Sequence, residues 1–400
     1  MEFGREVFAR GQRWIFDPVG RFVSPPDPGP YDPCWCWSGK KFKFCHMHRD
    51  RENRPSVADA LNIWKAKPDM RICLGPKAPT ECSGKVVDAH MVQRHGGGLS
   101  KIAREGKVYG FKRHPMFFIK KQGFHEPELI GIGAAATLPI FCEKHDRDLF
   151  RNAETESFAP TMAQLLQLNY RTVASRVYTN EAVIPQLAEL HDADRGLTRD
   201  DQRRMFVAVE ALRQESAMYL ENVLELKALY DEWITATNAD VNALVIRFQG
   251  RPEFMCASIV YANMDFQGAL IAPVGRSAHL CFYTVADDAG VSAVYSWVGE
   301  NHAASQLCSS LLTVPPEHRA SAILRYALEY IDTTFFAPDW WESLGVEVRG
   351  RLVQRLTAHS KPFREHRADG LLPDSAEASR LQFGEHQIIG KWRDASPPAA

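Results

Sequence analysis

Nowhere does this 400-residue chain hold an apolar run approaching the roughly 18 to 20 residues of a membrane-crossing helix. Its first residues, Met1-Glu2-Phe3-Gly4-Arg5-Glu6, bring in charge before any apolar segment, which is not the pattern of a secretory leader. Net charge is nearly absent, with 48 Lys+Arg against 49 Asp+Glu, so the chain as a whole is neither a polycation nor a polyanion. The C-terminal half lacks a nucleophile elbow, a phosphate-binding glycine loop and paired carboxylates, and with them the common signatures of hydrolases and nucleotide binders. What is present is an ordinary globular composition, 45% hydrophobic and 24% charged, in a chain long enough for several domains. Nine cysteines make an odd set. Five of the first six lie near a histidine or another cysteine, which points to metal binding in a reducing cytoplasm and away from a disulfide framework.

The near-zero total hides a division. Residues 1–125 contain 23 Lys+Arg and 12 Asp+Glu, a net +11, and the remainder carries −12. A basic N-terminal third suits a module that faces nucleic acid or a ribosome-like partner, because phosphate contacts supply most non-specific affinity. It equally suits a zinc module whose thiolates are offset by positive charge. The acidic remainder could contact a protein.

Residues 34 to 46 read Cys-Trp-Cys-Trp-Ser-Gly-Lys-Lys-Phe-Lys-Phe-Cys-His. Cys34, Cys36, Cys45 and His46 can close a tetrahedron around zinc with no open position. The alternative is a disulfide or free thiols. Ser38 to Lys41 supply a tight turn, and the lysines are expected to favour thiolates. This stretch resembles the SEC-C zinc motif, with tryptophan at 35 and 37 where small residues are commoner. The resemblance implies a structural zinc and a partner. Lys40, Lys41 and Lys43 are the candidate phosphate contacts here, with Arg94 further along.

A second ligand set runs from Cys73 to Asp146. Cys73 and Cys82 flank Gly75-Pro76-Lys77-Ala78-Pro79, and Cys142 and His145 stand at the start of an expected helix. Cys73, Cys82, Cys142 and His145 are the arrangement of a treble-clef zinc site, although the 59 residues between Cys82 and Cys142 exceed what such a site needs. Ordinary buried thiols are the alternative. The region resembles a degenerate HNH endonuclease module. By that resemblance His90 would be a general base, with Asp88 beside it, and Asp146 would help hold magnesium or manganese. Asp146 replaces the family's last metal-binding histidine, and the missing middle ligand could come only from His114 or His125.

The remaining chain predicts regular elements. Phe16 to Phe22 reads as a hairpin, and Ser56 to Trp64 as a short helix capped by Ser56. Pro160 opens a helix carrying Met162, Leu165, Leu166, Val173 and Val177 on one face, and Ile184 to Leu190 is a further amphipathic piece. Thr198 with Asp201 begins the longest helix. Met205, Val209, Leu212, Ser216, Tyr219, Val223, Leu226, Tyr230 and Trp233 form a heptad seam along it, which fits an intramolecular hairpin or a homodimer. Strands follow at 244–248, 254–261, 279–285 and 291–298, then helices near 302–313, 317–331 and 339–356. Cys256, Cys281 and Cys308 belong to the core.

The predicted class is therefore α+β and multidomain: N-terminal zinc modules, a helical hairpin with a long heptad helix, and a C-terminal antiparallel sheet with helices. The expected segments are 1–55, 56–157, 158–238, 239–370 and a tail at 371–400. Functionally, the reading is a zinc-binding protein, monomer or homodimer, that recognises nucleic acid or a nucleoprotein. The alternatives are a metal-dependent nuclease and a coiled-coil scaffold. The combination of modules is similar to that of bacterial proteins from mobile or defence loci.

Overall fold

The computed structural model describes residues 6–9, 12–15, 26–56, 70–111, 126–236, 239–261, 264–271, 279–331, 333–358 and 379–392. The hairpin expected at 16–22, the body of the helix expected after Ser56, and His114 and His125 lie outside these residues. A hairpin occurs earlier, where β1 (Glu6–Ala9) pairs antiparallel with β2 (Gln12–Ile15).

The chain forms an α+β protein whose compact units do not follow chain order. One unit comprises Met1–Asp69 with Thr179–Glu221, and the other Met70–Tyr178 with Asn222–Ala400. Two long helices contribute to both. The first is α3 (Met162–Glu189), a single helix in which Pro185 is accommodated, where the sequence suggested two pieces. The second is α4 (Arg199–Trp233). Its start matches expectation: the Thr198 hydroxyl donates to Asp201 Oδ2 at 2.7 Å, and the Asp201 amide donates back to Thr198 Oγ1 at 3.3 Å. All nine seam positions of α4 are buried or half-buried.

The second unit is built on an eight-stranded sheet. Its strands are β4 (Lys107–Gly110), β5 (Glu128–Gly131), β7 (Val241–Gln249), β8 (Phe254–Val260), β9 (Leu280–Ala286), β10 (Gly290–Val298), β11 (Thr334–Phe336) and β12 (Gln382–Ile389). They lie in the order β12-β7-β10-β9-β8-β11-β4-β5, every neighbouring pair antiparallel. β8, β9 and β10 are buried along their whole length, so both faces of the sheet are covered and the strands read as nearly continuous apolar runs. On one face Phe282 and Tyr295 meet Tyr326 of α6 (Pro316–Tyr330), with ring centroids 5.1 and 5.2 Å apart. On the other, Asn169 of α3 donates to Ser296 Oγ at 2.9 Å. Cys256, Cys281 and Cys308 are all fully buried, and burial raises each thiol's pKa.

The helices expected near 302–313 and 317–331 are α5 (His302–Thr313) and α6, and the one expected at 339–356 is two, α7 (Pro338–Ser343) and α8 (Val346–Ala358), broken around Gly345. Part of the expected tail is ordered structure. β12 pairs with β7, and Trp392 beyond it packs on Trp297 at 5.6 Å and donates its indole N–H to the Ala243 carbonyl at 3.1 Å.

A second, two-stranded sheet joins β3 (Val86–His90) to β6 (Thr137–Cys142) antiparallel, with Val86 opposite Cys142. α1 (Glu143–Leu149) follows β6 directly, and α2 (Arg151–Thr155) comes next. The long interval between Cys82 and Cys142 has a physical reason: it leaves this hairpin to supply β4 and β5, the edge of the large sheet, through β11. Among the described residues, no helix is long and apolar enough to cross a membrane.

Candidate metal centres

In the first unit the turn after Cys34 reverses the chain so that the Cys34 amide donates to the Lys40 carbonyl at 2.9 Å. Trp37 takes φ +55 in this turn, a left-handed conformation that disfavours a bulky residue. It is held there by stacking edge-on against Phe206 of α4 at 4.9 Å, with Trp35 on the same ring at 5.5 Å. These contacts give both tryptophans a role: they bind the knuckle to a helix.

The turn brings the four expected ligands together. Cys36 Sγ lies 3.5 Å from Cys34 Sγ and 3.4 Å from Cys45 Sγ, and His46 Nδ1 lies 3.2 Å from both Cys34 and Cys45. A zinc ion with bonds of about 2.3 Å to sulfur and 2.0 Å to nitrogen implies tetrahedral edges of roughly 3.5 to 3.8 Å. The observed separations lie about 0.3 Å inside those edges, so the donor set suits such a cation once the four ligands open slightly. Ser38 Oγ stands 3.3 Å from Cys36 Sγ and 3.2 Å from Cys45 Sγ.

Behind His46 stands a residue absent from the sequence-based ligand set. Asp194, in the short 3-10 helix Leu190–Asp194, is only 3% exposed. It accepts the Nε2–H of His46 at 2.8 Å, and its other oxygen accepts from Arg49 Nε at 2.5 Å. A carboxylate on the far nitrogen fixes the tautomer and aims Nδ1 at the metal position. Gly196 makes the approach possible: a Cβ there would lie 2.7 Å from the Glu52 carbonyl oxygen and 2.9 Å from the Arg54 amide. The largest influences on the thiols are one another, where the lysines were expected. Hydrogen bonds from Cys34 and Cys36 hold Cys45 well below the usual thiol range, and those with Cys36 and Cys45 raise Cys34. Burial works against charge on His46, yet the bond to Asp194 and the neighbouring sulfurs push its pKa up to about 11. A bound cation would stabilise the thiolates together.

The second unit holds the other set. His145 Nδ1 lies 3.2 Å from Cys73 Sγ, 3.4 Å from Cys142 Sγ and 3.7 Å from Cys82 Sγ. Cys142 caps α1, and its amide points at Cys73 Sγ at 3.3 Å. The loop from Cys73 is fixed by the Leu74 amide donating to the Ile140 carbonyl at 2.8 Å, and by the Tyr170 hydroxyl 2.8 Å from the Leu74 carbonyl. Gly75 leaves room for the imidazole, since a Cβ there would sit 2.4 Å from His145 Nδ1. Burial lowers the His145 pKa, which keeps the ring neutral as a ligand must be. Burial and the Cys73 and Cys142 thiols push Cys82 up to about 12. Each of the two Cys3His groups could hold a metal ion, with all four ligand atoms within 4.8 Å of one another.

The other candidate residues are more dispersed. His90, half-buried at the end of β3, faces the Ile132 carbonyl through Nε2 at 3.2 Å. Asp88, exposed where the β3 pairing is irregular, has Arg71 at 3.7 Å. Asp146, one residue beyond His145, has a buried Oδ1 without a hydrogen-bond partner. Both His90 and Asp146 lie within electrostatic reach of Arg171 and Glu154, which pair with each other at 2.5 Å. Lys40, Lys41 and Lys43 are exposed on the first unit, and Arg94 is exposed on the second. Comparison with family models, with curated proteins and with solved structures gives no match.

Proposed function

We propose that this is a zinc protein in which two structural Cys3His centres hold a recognition surface, and that its basic N-terminal third binds nucleic acid or a nucleoprotein. Three thiolates and one imidazole are the donor set that zinc prefers for closed, non-catalytic sites. The observation that carries the binding reading is the outer face of the first knuckle. Lys40, Lys41 and Lys43 are each exposed, and none has a carboxylate partner among the described residues. Ammonium groups without a carboxylate partner suit phosphate contacts. Purified protein should contain about two zinc ions per chain, because each four-ligand set closes one site. It should bind nucleic acid with an affinity that falls steeply with salt, and Lys40→Gln, Lys41→Gln and Lys43→Gln together should weaken that binding. Binding indifferent to salt would refute this reading.

A second reading, a divergent HNH-type nuclease, is favoured by one observation: β6, paired with β3, ends at Cys142 and runs straight into α1, which carries His145, and His90 ends β3. In that reading magnesium or manganese would serve the cleavage. Its test is cleavage of plasmid DNA and structured RNA with either cation, by the wild type and by His90→Ala. Cleavage lost in the variant, with both zinc ions retained, would establish this reading.

A further inference from the structure

The first knuckle presents aromatic rings as well as charge. Tyr31 and Phe44 are 63% and 68% exposed. The same 3-10 turn, Phe42–Phe44, buries Phe42 completely against the knuckle's core, so the segment has one ring inside and one outside. The outer rings are surrounded by cations. Lys43 Nζ lies 5.3 Å from the Tyr31 centroid and 5.9 Å from that of Phe44, and Lys41 Nζ lies 5.6 Å from Tyr31. The nearby acids are committed elsewhere. Asp32 accepts the Gly29 amide at 2.8 Å, and Asp27 pairs with Arg199 and Arg203.

We propose that this face binds single-stranded nucleic acid, with unpaired bases stacked on Tyr31 and Phe44 and the backbone phosphates on Lys40, Lys41 and Lys43. The inference rests on the nucleic-acid reading above and narrows it. Exposed rings select for a partner with flat π-faces, and a duplex keeps its base faces inside the stack. An acidic peptide would satisfy the lysines and leave both rings in water. The metal centre underneath fixes the turn in advance, so little conformational freedom is lost on binding.

The test uses the full chain, loaded with zinc, and fluorescence anisotropy of labelled oligo-dT, oligo-U and a duplex of equal length at low and moderate salt. Single strands are expected to bind at least about tenfold more tightly than the duplex. Tyr31→Ala with Phe44→Ala should weaken single-strand binding by about 10- to 100-fold, and Tyr31→Trp should preserve it. Lys40→Gln, Lys41→Gln and Lys43→Gln together should reduce the slope of log affinity against log salt by about 2, as three lost contacts to a single strand require. Zinc content should be unchanged in every variant, since none of the five residues is a ligand; a variant that loses zinc is replaced by Tyr31→Leu with Phe44→Leu, which keeps the bulk and removes the ring. If removing the rings changes nothing, or the duplex binds as tightly, stacking is refuted while phosphate-driven binding stands. If polyglutamate competes as well as an oligonucleotide, the proposal also fails. If neither polymer binds at low salt, both this proposal and the reading beneath it fall.

Discussion

His46 donates its Nε2–H to Asp194 at 2.8 Å, joining residues 148 positions apart. The bond leaves only Nδ1 free to face the three sulfurs, and Arg49 in turn holds the acid. Asp194→Asn should therefore lower metal affinity at the first centre by about 10- to 100-fold and leave the second unaffected. A chelator titration should release one ion early and one at the wild-type concentration. Release of both ions as in the wild type would show that the carboxylate does not orient this ligand.

Gly75→Ala targets the second centre through shape alone. The added methyl would fall 2.4 Å from His145 Nδ1, so the ring or the loop must move, at a cost of about 1 to 3 kcal/mol for such overpacking. Metal analysis should find bound zinc reduced from about two ions to one, since a displaced imidazole opens a four-ligand site. Full occupancy with an unchanged melting temperature would contradict the close approach.

Trp392 anchors the last strand of the large sheet. Trp392→Ala removes its contact with Trp297 and its bond to the Ala243 carbonyl, and should cost about 3 to 5 kcal/mol, as for other buried aromatics. Deleting residues 379–400 should go further, because β7 would become an unprotected edge and pair with other copies. Thermal melts and size-exclusion profiles would measure the two effects. A monomeric truncated protein of native stability would contradict the role of β12.

His90 gives stability a pH dependence. Burial lowers its pKa in the fold, although the Ile132 carbonyl opposes this by favouring the protonated ring. The unfolded chain therefore takes up a proton first as pH falls below about 6.5. Stability from this residue is complete above that value and is lost as pH falls through the lower folded value. Urea unfolding from pH 7.5 to 5.5 should show declining stability, with a shallower slope in His90→Gln. Equal slopes in the two proteins would assign the loss to other groups.

Both ligand sets were legible in the sequence because close spacing ties Cys34, Cys36, Cys45 and His46 together, and because a Cys-x-x-His at a helix start marks Cys142 and His145. The four core strands were legible for a similar reason: unbroken β-branched and aromatic runs mark strands buried on both faces. Asp194 carries no such mark. It sits in a polar turn between two helices, and only tertiary structure places it behind His46. β4 and β5 are short and join the sheet far from their chain neighbours, so no local pattern could assign them. β12 was hidden because its side chains are all exposed or half-buried and show no regular alternation between the two faces.

The first knuckle is bound to residues far along the chain. Its ligands lie within 13 residues, yet Asp194 and Phe206, which aim and support them, come from Thr179–Glu221. An excised peptide ending at Asp69 would keep every donor atom and lose what orients them. It would resemble a clasp without its hinge, able to take up metal but slow to settle on one geometry. The four ligands are thus not self-sufficient in this protein: what orients them is distributed across the chain, and transplanting them alone would not carry that support with them.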